Sequence, residues 1–408
     1  MKSAAHPNLS PPPKPNSSFN FWVDSEQTSR WFRRLWIAAM ALTALSLGKN
    51  LGIGNINPFE RSLFLAAGIF FIFGRPIDKT ALSGLILMVL AILGAALASK
   101  FSFFEWSRTL MALIAFITIA AYLVVEPRES DALLILKSVA WLPVVLVVLG
   151  LIFFLLLGRP MMARDHTGAM RLGGAVIPAF LAASCYAASI AAGFLYVRER
   201  RTLYVTLVIA AIAISALSGS RMASVCAVAS GGLCLALSRH STIVKVLAVA
   251  YGVALLGVFL LTLGDQLLVR FMSGSNSGRE LLWASLRAAG DQYPLAGIGW
   301  GHHGMVIPES VSRWTGTVAA HNEWLRLRVE LGWIGCAFFA IGWTTYWMSR
   351  ASRFVLPTLV HIALVLVFCI VSTTDNTLTA IYFLLGLLSI GLGTSLVTGS
   401  YITRGTRP

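Results

Sequence analysis

The chain has 408 residues, 57% of them hydrophobic and only 12% charged, with a mean hydropathy of +0.77 and a formal net charge of +15. So much apolar surface exceeds what a soluble core of this length needs, which excludes an ordinary soluble domain and requires lipid to cover part of the molecule. The basic residues are scattered between apolar runs instead of forming one stripe, so the indicated partners are anionic membrane lipids and anionic substrates, and no nucleic acid.

Residues 1–30 contain "PPPKPNSS" and cannot build a packed core, so they read as a disordered tail. They do not read as a signal peptide. The first apolar run begins near Leu35, after Arg30, Arg33 and Arg34, and no small-residue cleavage site follows it, which makes it an uncleaved first span. Runs of spanning length, ~17 to 25 residues, fall at 34–50, 60–74, 80–98, 108–125, 132–157, 175–196, 202–218, 221–238, 243–264, 331–348, 354–372 and 377–397. The expected fold class is therefore all-α, a polytopic transmembrane helical bundle of about twelve spans with one long loop containing short helices. About nine spans occupy 31–264, the loop 265–330, about three spans 331–397, and a second tail 398–408. Cys185, Cys226, Cys234, Cys336 and Cys369 all lie inside apolar runs without ligand-like spacing, so they read as small packing residues.

Loop charges give the orientation. With the N-terminus placed in the cytoplasm, the tails and short loops on that side hold 17 Lys and Arg, and the opposite short loops hold eight. The positive-inside rule then puts both termini in the cytoplasm. The long loop consequently faces the periplasm or the cell exterior, where no ATP is expected.

At the outer end of the seventh run stands "ISALSGSRMASVC", with Arg221 in a turn between two apolar segments. Two readings are open: an interfacial arginine reaching to lipid phosphate, or a cation at the outer leaflet facing an anionic substrate. Further on, "SGRELLWASLRAAG" places Leu281, Leu282, Ser285 and Leu286 at helical spacing, predicting a short amphipathic helix on the membrane surface with Arg279 in its first turn. "YPLAGIGWGHHGM" is a glycine-punctuated turn. It only superficially resembles a dinucleotide-binding loop, since no strand precedes it. Its His302 and His303 read most simply as solvated residues of that turn. "AAHNEWLRLRVELGWIG" predicts a helix leading into the tenth span, with Trp324, Leu325 and Leu331 on its apolar side and Gly332 and Gly335 in close helix packing.

The order of these motifs carries a resemblance. "SGSR" between two spans, then "SGRELLW", then proline and "GIGWG", then "HNEWL" ahead of a span starting "LGWIG", resembles the O-antigen ligase and polymerase superfamily of bacterial envelope enzymes over about a third of the chain. Within it the chain looks most like the ligases. The resemblance implies transfer of a glycan from undecaprenyl diphosphate-linked O-antigen to a hydroxyl of lipid A-core oligosaccharide, in lipopolysaccharide biosynthesis at the periplasmic face of the bacterial inner membrane, without cofactor or metal. The family's essential arginine after the "SGS" turn falls on Arg221, its loop arginine on Arg279 and its histidine on His321. The "HH" at His302 and His303 departs from the commoner family pattern, and His303 stays beside His321 as a candidate.

These residue types suit that chemistry independently of the family. A sugar on a lipid diphosphate leaves readily only if the departing diphosphate is held as an anion, and two guanidiniums supply fixed bidentate donors for it. No acidic pair from the long loop onward has the DxD spacing that would hold a divalent cation. A sugar hydroxyl also needs its proton removed, and imidazole serves as that base, for a typical gain of ~10² to 10⁴ in rate. His321 is the candidate base, and direct attack on the anomeric carbon would invert it. Asn322, Glu323 or a residue from elsewhere would orient the ring, and Asp375 is kept as a further supporting candidate. Arg326 and Arg328 either bind acceptor phosphates or contact lipid head groups. A polymerase, using lipid-linked glycan as donor and acceptor, would carry the same arginines and histidine. A transporter or flippase would instead have two similar halves and ionisable residues near mid-span, whereas only Lys137 lies within a run here.

Overall fold

The computed structural model describes residues 25–52, 57–164, 170–237, 279–350 and 355–405. The expected tail over 1–24, the ninth run 243–264 and the first part of the long loop, 265–278, lie outside the described residues. In chain order the helices are α1 (Ser25–Leu45), α2 (Leu47–Leu51), α3 (Asn57–Ile72), α4 (Lys79–Ala98), α5 (Trp106–Ala120, prolonged by a 3-10 turn, Ala121–Val124), α6 (Glu129–Leu157), α7 (Pro178–Glu199), α8 (Thr202–Leu217) and α9 (Arg221–Ala236). After the loop's start come α10 (Arg279–Gln292), α11 (Glu309–Thr315), α12 (Glu323–Met348), α13 (Val355–Val371) and α14 (Ile381–Gly405). An unexpected small hairpin, β1 (Met162–Arg164) against β2 (Met170–Leu172), follows α6.

Eleven of the twelve expected apolar runs coincide with helices. Five helices among the described residues, α4, α5 with its 3-10 turn, α6, α7 and α14, are long and apolar enough to cross a membrane, while α8, α9 and α13 are apolar but shorter. The count of twelve spans therefore rests on the sequence for the others. Two boundaries move. Helix α1 starts at Ser25, inside the expected tail, where Ser29 and Arg33 on its first turns bond the buried Asp131 of α6 at 3.0 and 2.9 Å. Helix α12 starts at Glu323, eight residues ahead of the expected span, because Asn322 caps it by accepting from the Leu325 N–H at 3.0 Å.

Helix α7 is the centre of the bundle. It is rich in alanine and serine and buried without interruption from Leu181 to Tyr196, packed by α6, α8, α9 and α14. Lipid tails are as apolar as leucine, so helices here associate through close backbone approach at small residues. The α4–α12 pair illustrates it: a Cβ on Gly84 would lie 2.6 Å from the Tyr346 nitrogen and 2.7 Å from the Gly342 oxygen.

Helix α12 is also broken. Gly332 takes φ 63°, ψ −177°, which strands the carbonyls before it and the N–H groups after it. The glycine turn fills the gap with main-chain hydrogen bonds. Ile298 and Gly299 N–H donate to the carbonyls of Val329 and Glu330, both at 2.9 Å, and Trp333 and Ile334 N–H donate to those of Pro294 and Leu295 at 2.8 and 3.2 Å. Only glycines permit so close a crossing: a Cβ on Gly332 would meet the Leu295 oxygen at 2.3 Å, and one on Gly297 the Glu330 oxygen at 2.5 Å. Above the crossing a second, smaller core forms from Leu282, Leu286 and Ala289 of α10 with Ile298, Ile307, Ala320 and Val329. The apolar face of α10 thus lies on α12 and the turn.

Candidate active site

His321 precedes the cap of α12 and has φ 48°, one of three non-glycine residues among those described with a left-handed backbone. That conformation is uncommon for a residue with a side chain and is informative where it occurs. The neighbouring Ala320 carbonyl is held by Trp283 Nε1 of α10 at 2.9 Å. The His321 side chain is about one-quarter exposed, and its Nδ1 lies 3.8 Å from Oδ1 of Asp375.

Asp375 sits on the turn 372–380 between α13 and α14. Arg279, the first residue of α10, donates from Nη1 to the carbonyl of Thr374 at 3.2 Å. One helix therefore reaches both partners: Arg279 grips the turn bearing Asp375, and Trp283, one helical turn later, grips the segment bearing His321. From the far side of the same turn, Arg61 of α3 reaches the Thr379 carbonyl at 3.5 Å.

Arg221 heads α9 behind the turn 218–220. The Cys226 thiol, five residues on, faces the Val367 carbonyl of α13 at 3.9 Å, which puts the head of α9 at the same end of the bundle as the turn 372–380. Arg171 of β2 donates from Nε to the Ser218 carbonyl at 2.7 Å and stands against Gly219, whose φ of 68° shapes the turn. Arg221, Arg279, His321 and Asp375 thus gather at one end of the bundle.

The other expected residues have different tasks. Arg326 is fully buried, with Nε donating to Glu323 Oε1 at 2.9 Å, Nη2 donating to the same oxygen, and Nη1 donating to Glu330 Oε2 at 2.9 Å. Its guanidinium also lies over the Trp300 ring, 4.3 Å from the centroid. It offers no open face to an acceptor phosphate, because both carboxylates are needed to offset its removal from water. Arg328 pairs with Asp291 at 2.6 Å and lies over Trp333. Asn322 uses its carbonyl oxygen to cap α12, so that atom is not an orienting partner for His321.

The reading of His302 and His303 as a solvated pair is overturned. His302 is fully buried: its Nδ1 faces the carbonyls of Gly299 and Trp300 at 3.2 Å each, its Nε2 accepts from the Glu105 N–H at 2.8 Å, and its ring stacks on Phe104. Both ring nitrogens are thus engaged with the main chain. His303 joins Glu330 through Nδ1 at 2.7 Å and through its backbone N–H at 3.0 Å. Burial by itself would raise the Glu330 carboxyl, but Arg326 and His303 more than offset it and hold the group down at about 2.

The sequence reading missed the Glu323, Arg326 and Glu330 cluster and the nearness of Arg171 and Arg61. The cluster had a signal, since spacings of three and four residues put Glu323, Arg326 and Glu330 on one helix face. Arg171 and Arg61 had none beyond their loop charge. Among the described residues no group of three His, Cys, Asp or Glu side chains is placed to hold a metal ion.

Residues 206–340, about a third of the chain, match the model of the O-antigen ligase family. A search of curated proteins found no match. The matched segment contains Arg221, Arg279, His303 and His321, while Asp375 lies beyond it.

Proposed function

We propose, from the premise that residues 206–340 carry the domain of the O-antigen ligase and polymerase superfamily, that this chain is a membrane glycosyltransferase of the ligase type. It moves a glycan from undecaprenyl diphosphate to a hydroxyl of lipid A-core oligosaccharide, at the periplasmic face of the inner membrane. The observation that carries the reading is the turn 372–380, which presents Asp375 to His321 at 3.8 Å and is itself gripped by Arg279.

In this reading Arg221 and Arg279 hold the donor's diphosphate, and their forked donors are aimed where negative charge grows as the glycosidic C–O bond breaks. The acceptor oxygen attacks the anomeric carbon from the opposite side, so the configuration inverts. Its proton passes to His321. Asp375, on the Nδ1 side, favours the tautomer with Nδ1 protonated and stabilises the imidazolium that forms, leaving Nε2 to take the proton. The electron pair of the broken bond leaves on the diphosphate. Arg328, part-exposed beside Asp291, is the remaining candidate for acceptor phosphates.

The test is to incubate the purified protein with lipid-linked O-antigen and lipid A-core. Glycan is expected on the core, with no ATP and with activity unchanged by a chelator. Growth of glycan on a second lipid-linked chain would make the protein a polymerase. Loss of transfer on chelation, restored by magnesium or manganese, would overturn the arginine clamp.

A further inference from the structure

Glu323 is a fully buried carboxylate that takes no part in the reaction as proposed, yet it stands two residues after His321. Its bonds run to both ends of the turn that carries Asp375. The Glu323 N–H donates to the Ser372 carbonyl at 2.8 Å, before Asp375, and Glu323 Oε2 accepts from the Leu378 N–H at 3.3 Å, after it. Inside the bracket, the hydroxyls of Ser372 and Thr377 meet at 2.7 Å and close the turn on itself. The other carboxylate oxygen takes two donors from Arg326, whose third nitrogen reaches Glu330 and, through it, His303. Glu323 thus bonds both flanks of the turn bearing Asp375, and the ion cluster links Glu323 through Arg326 and Glu330 to His303 of the glycine turn.

We infer that Glu323 is a positioning residue: it clamps the turn 372–378 to the start of α12 and so sets the separation of His321 and Asp375. The inference rests on the proposed reading of His321 as the base. Its physical content is that a proton acceptor works only when held in register with its partner, and a displacement of ~1 Å from a mutation outside the reacting atoms can cost ~10² in rate.

The experiment is a double-mutant cycle on purified full-length protein, reading kcat and the KM for lipid-linked O-antigen. Glu323→Gln should lower kcat by on the order of 10²-fold with donor KM little changed, since the arginines that hold the diphosphate remain. Glu323→Asp, which keeps the charge, should recover part of the loss. In an Asp375→Asn background, Glu323→Gln should cost little more, because what it positions is already gone. A normal kcat in Glu323→Gln, or the same loss in both backgrounds, overturns the inference and leaves Glu323 a stabiliser of the fold alone. If the amide variant does not accumulate, Glu323→Asp carries the same cycle. His321→Ala is measured alongside. Persistent transfer there removes the base assignment itself, whereas loss there with full activity in Glu323→Gln removes only the clamp.

Discussion

A guanidinium and an ammonium carry the same charge but different geometry, and that difference separates the proposed diphosphate clamp from simple contact with head groups. Arg279 uses one nitrogen on the Thr374 carbonyl, a bond that orients its guanidinium plane. Lysine at either position would keep the charge and lose the planar fork. Arg221→Lys and Arg279→Lys are each expected to lower transfer by ~10² to 10³, the usual loss for one pre-organised donor, and alanine by at least as much. His321→Ala should lower kcat by ~10² or more while donor affinity holds. Transfer rate and donor binding, measured on variants that insert and fold, check this, and near-normal turnover in the lysine variants would return both arginines to a lipid-contact role. At this scale the sequence was legible where order and spacing speak: "SGSR", "SGRE" and "HN" pointed to three residues that the fold brings to one end. It kept His303 as a second candidate and read it as solvated, with no sign of its partner Glu330, 27 residues away on another element. It misled on Arg326, because a charge in a polar stretch reads as exposed until the helix turns it between two carboxylates.

Elements were readable as apolar runs, since a lipid-facing helix announces itself by length and hydropathy. Their interlock was not. Nothing in "GIGWG" or "LGWIG" says that the first would hydrogen-bond into a break of the helix at the second, because the contact is main chain to main chain and side-chain patterns do not report it. Glycines mark the place, but close helix packing was the reading they first suggested for Gly332. The prediction at this scale compares two glycines with similar φ but different ψ, 13° at Gly316 and −177° at Gly332. Gly316, at the end of α11, has φ 68° and open space where a Cβ would go, so Gly316→Ala should cost only the left-handed backbone penalty of ~1 to 2 kcal/mol. Gly332 has φ 63° and the Leu295 carbonyl at 2.3 Å from a Cβ, so Gly332→Ala should cost distinctly more and displace the glycine turn with His303. Thermal unfolding of both variants in detergent or nanodiscs, beside wild type, checks it. Equal stability of the two would mean that the crossing is not tight.

For the whole molecule the question is which end faces which side of the membrane, and the charges divide by end. Away from the candidate site, Arg33 and Arg75 both pair with the buried Asp131, Lys137 pairs with Glu199, Arg198 with Glu129, and Arg350 bonds the Val125 carbonyl. Apart from Lys137, which lies within an apolar run, these basic residues are among the 17, against eight on the other side, on which the expectation of a cytoplasmic end rests. Arg200, in the exposed turn between α7 and α8, belongs to this end, beside Glu199. Gly316, exposed between α11 and the segment leading to His321, belongs to the opposite one. A reporter fused at Gly316 should therefore read as periplasmic and one at Arg200 as cytoplasmic. The chemistry depends on the result, since an arginine clamp that works without nucleotide suits the side of the membrane where no ATP is available. Both reporters on one side would break the alternation of helices between these points, which includes the run 243–264. A reversed pair would leave the helices intact but place Arg221, Arg279 and His321 in the cytoplasm, away from the proposed donor and acceptor, and the ligase reading would fall with it.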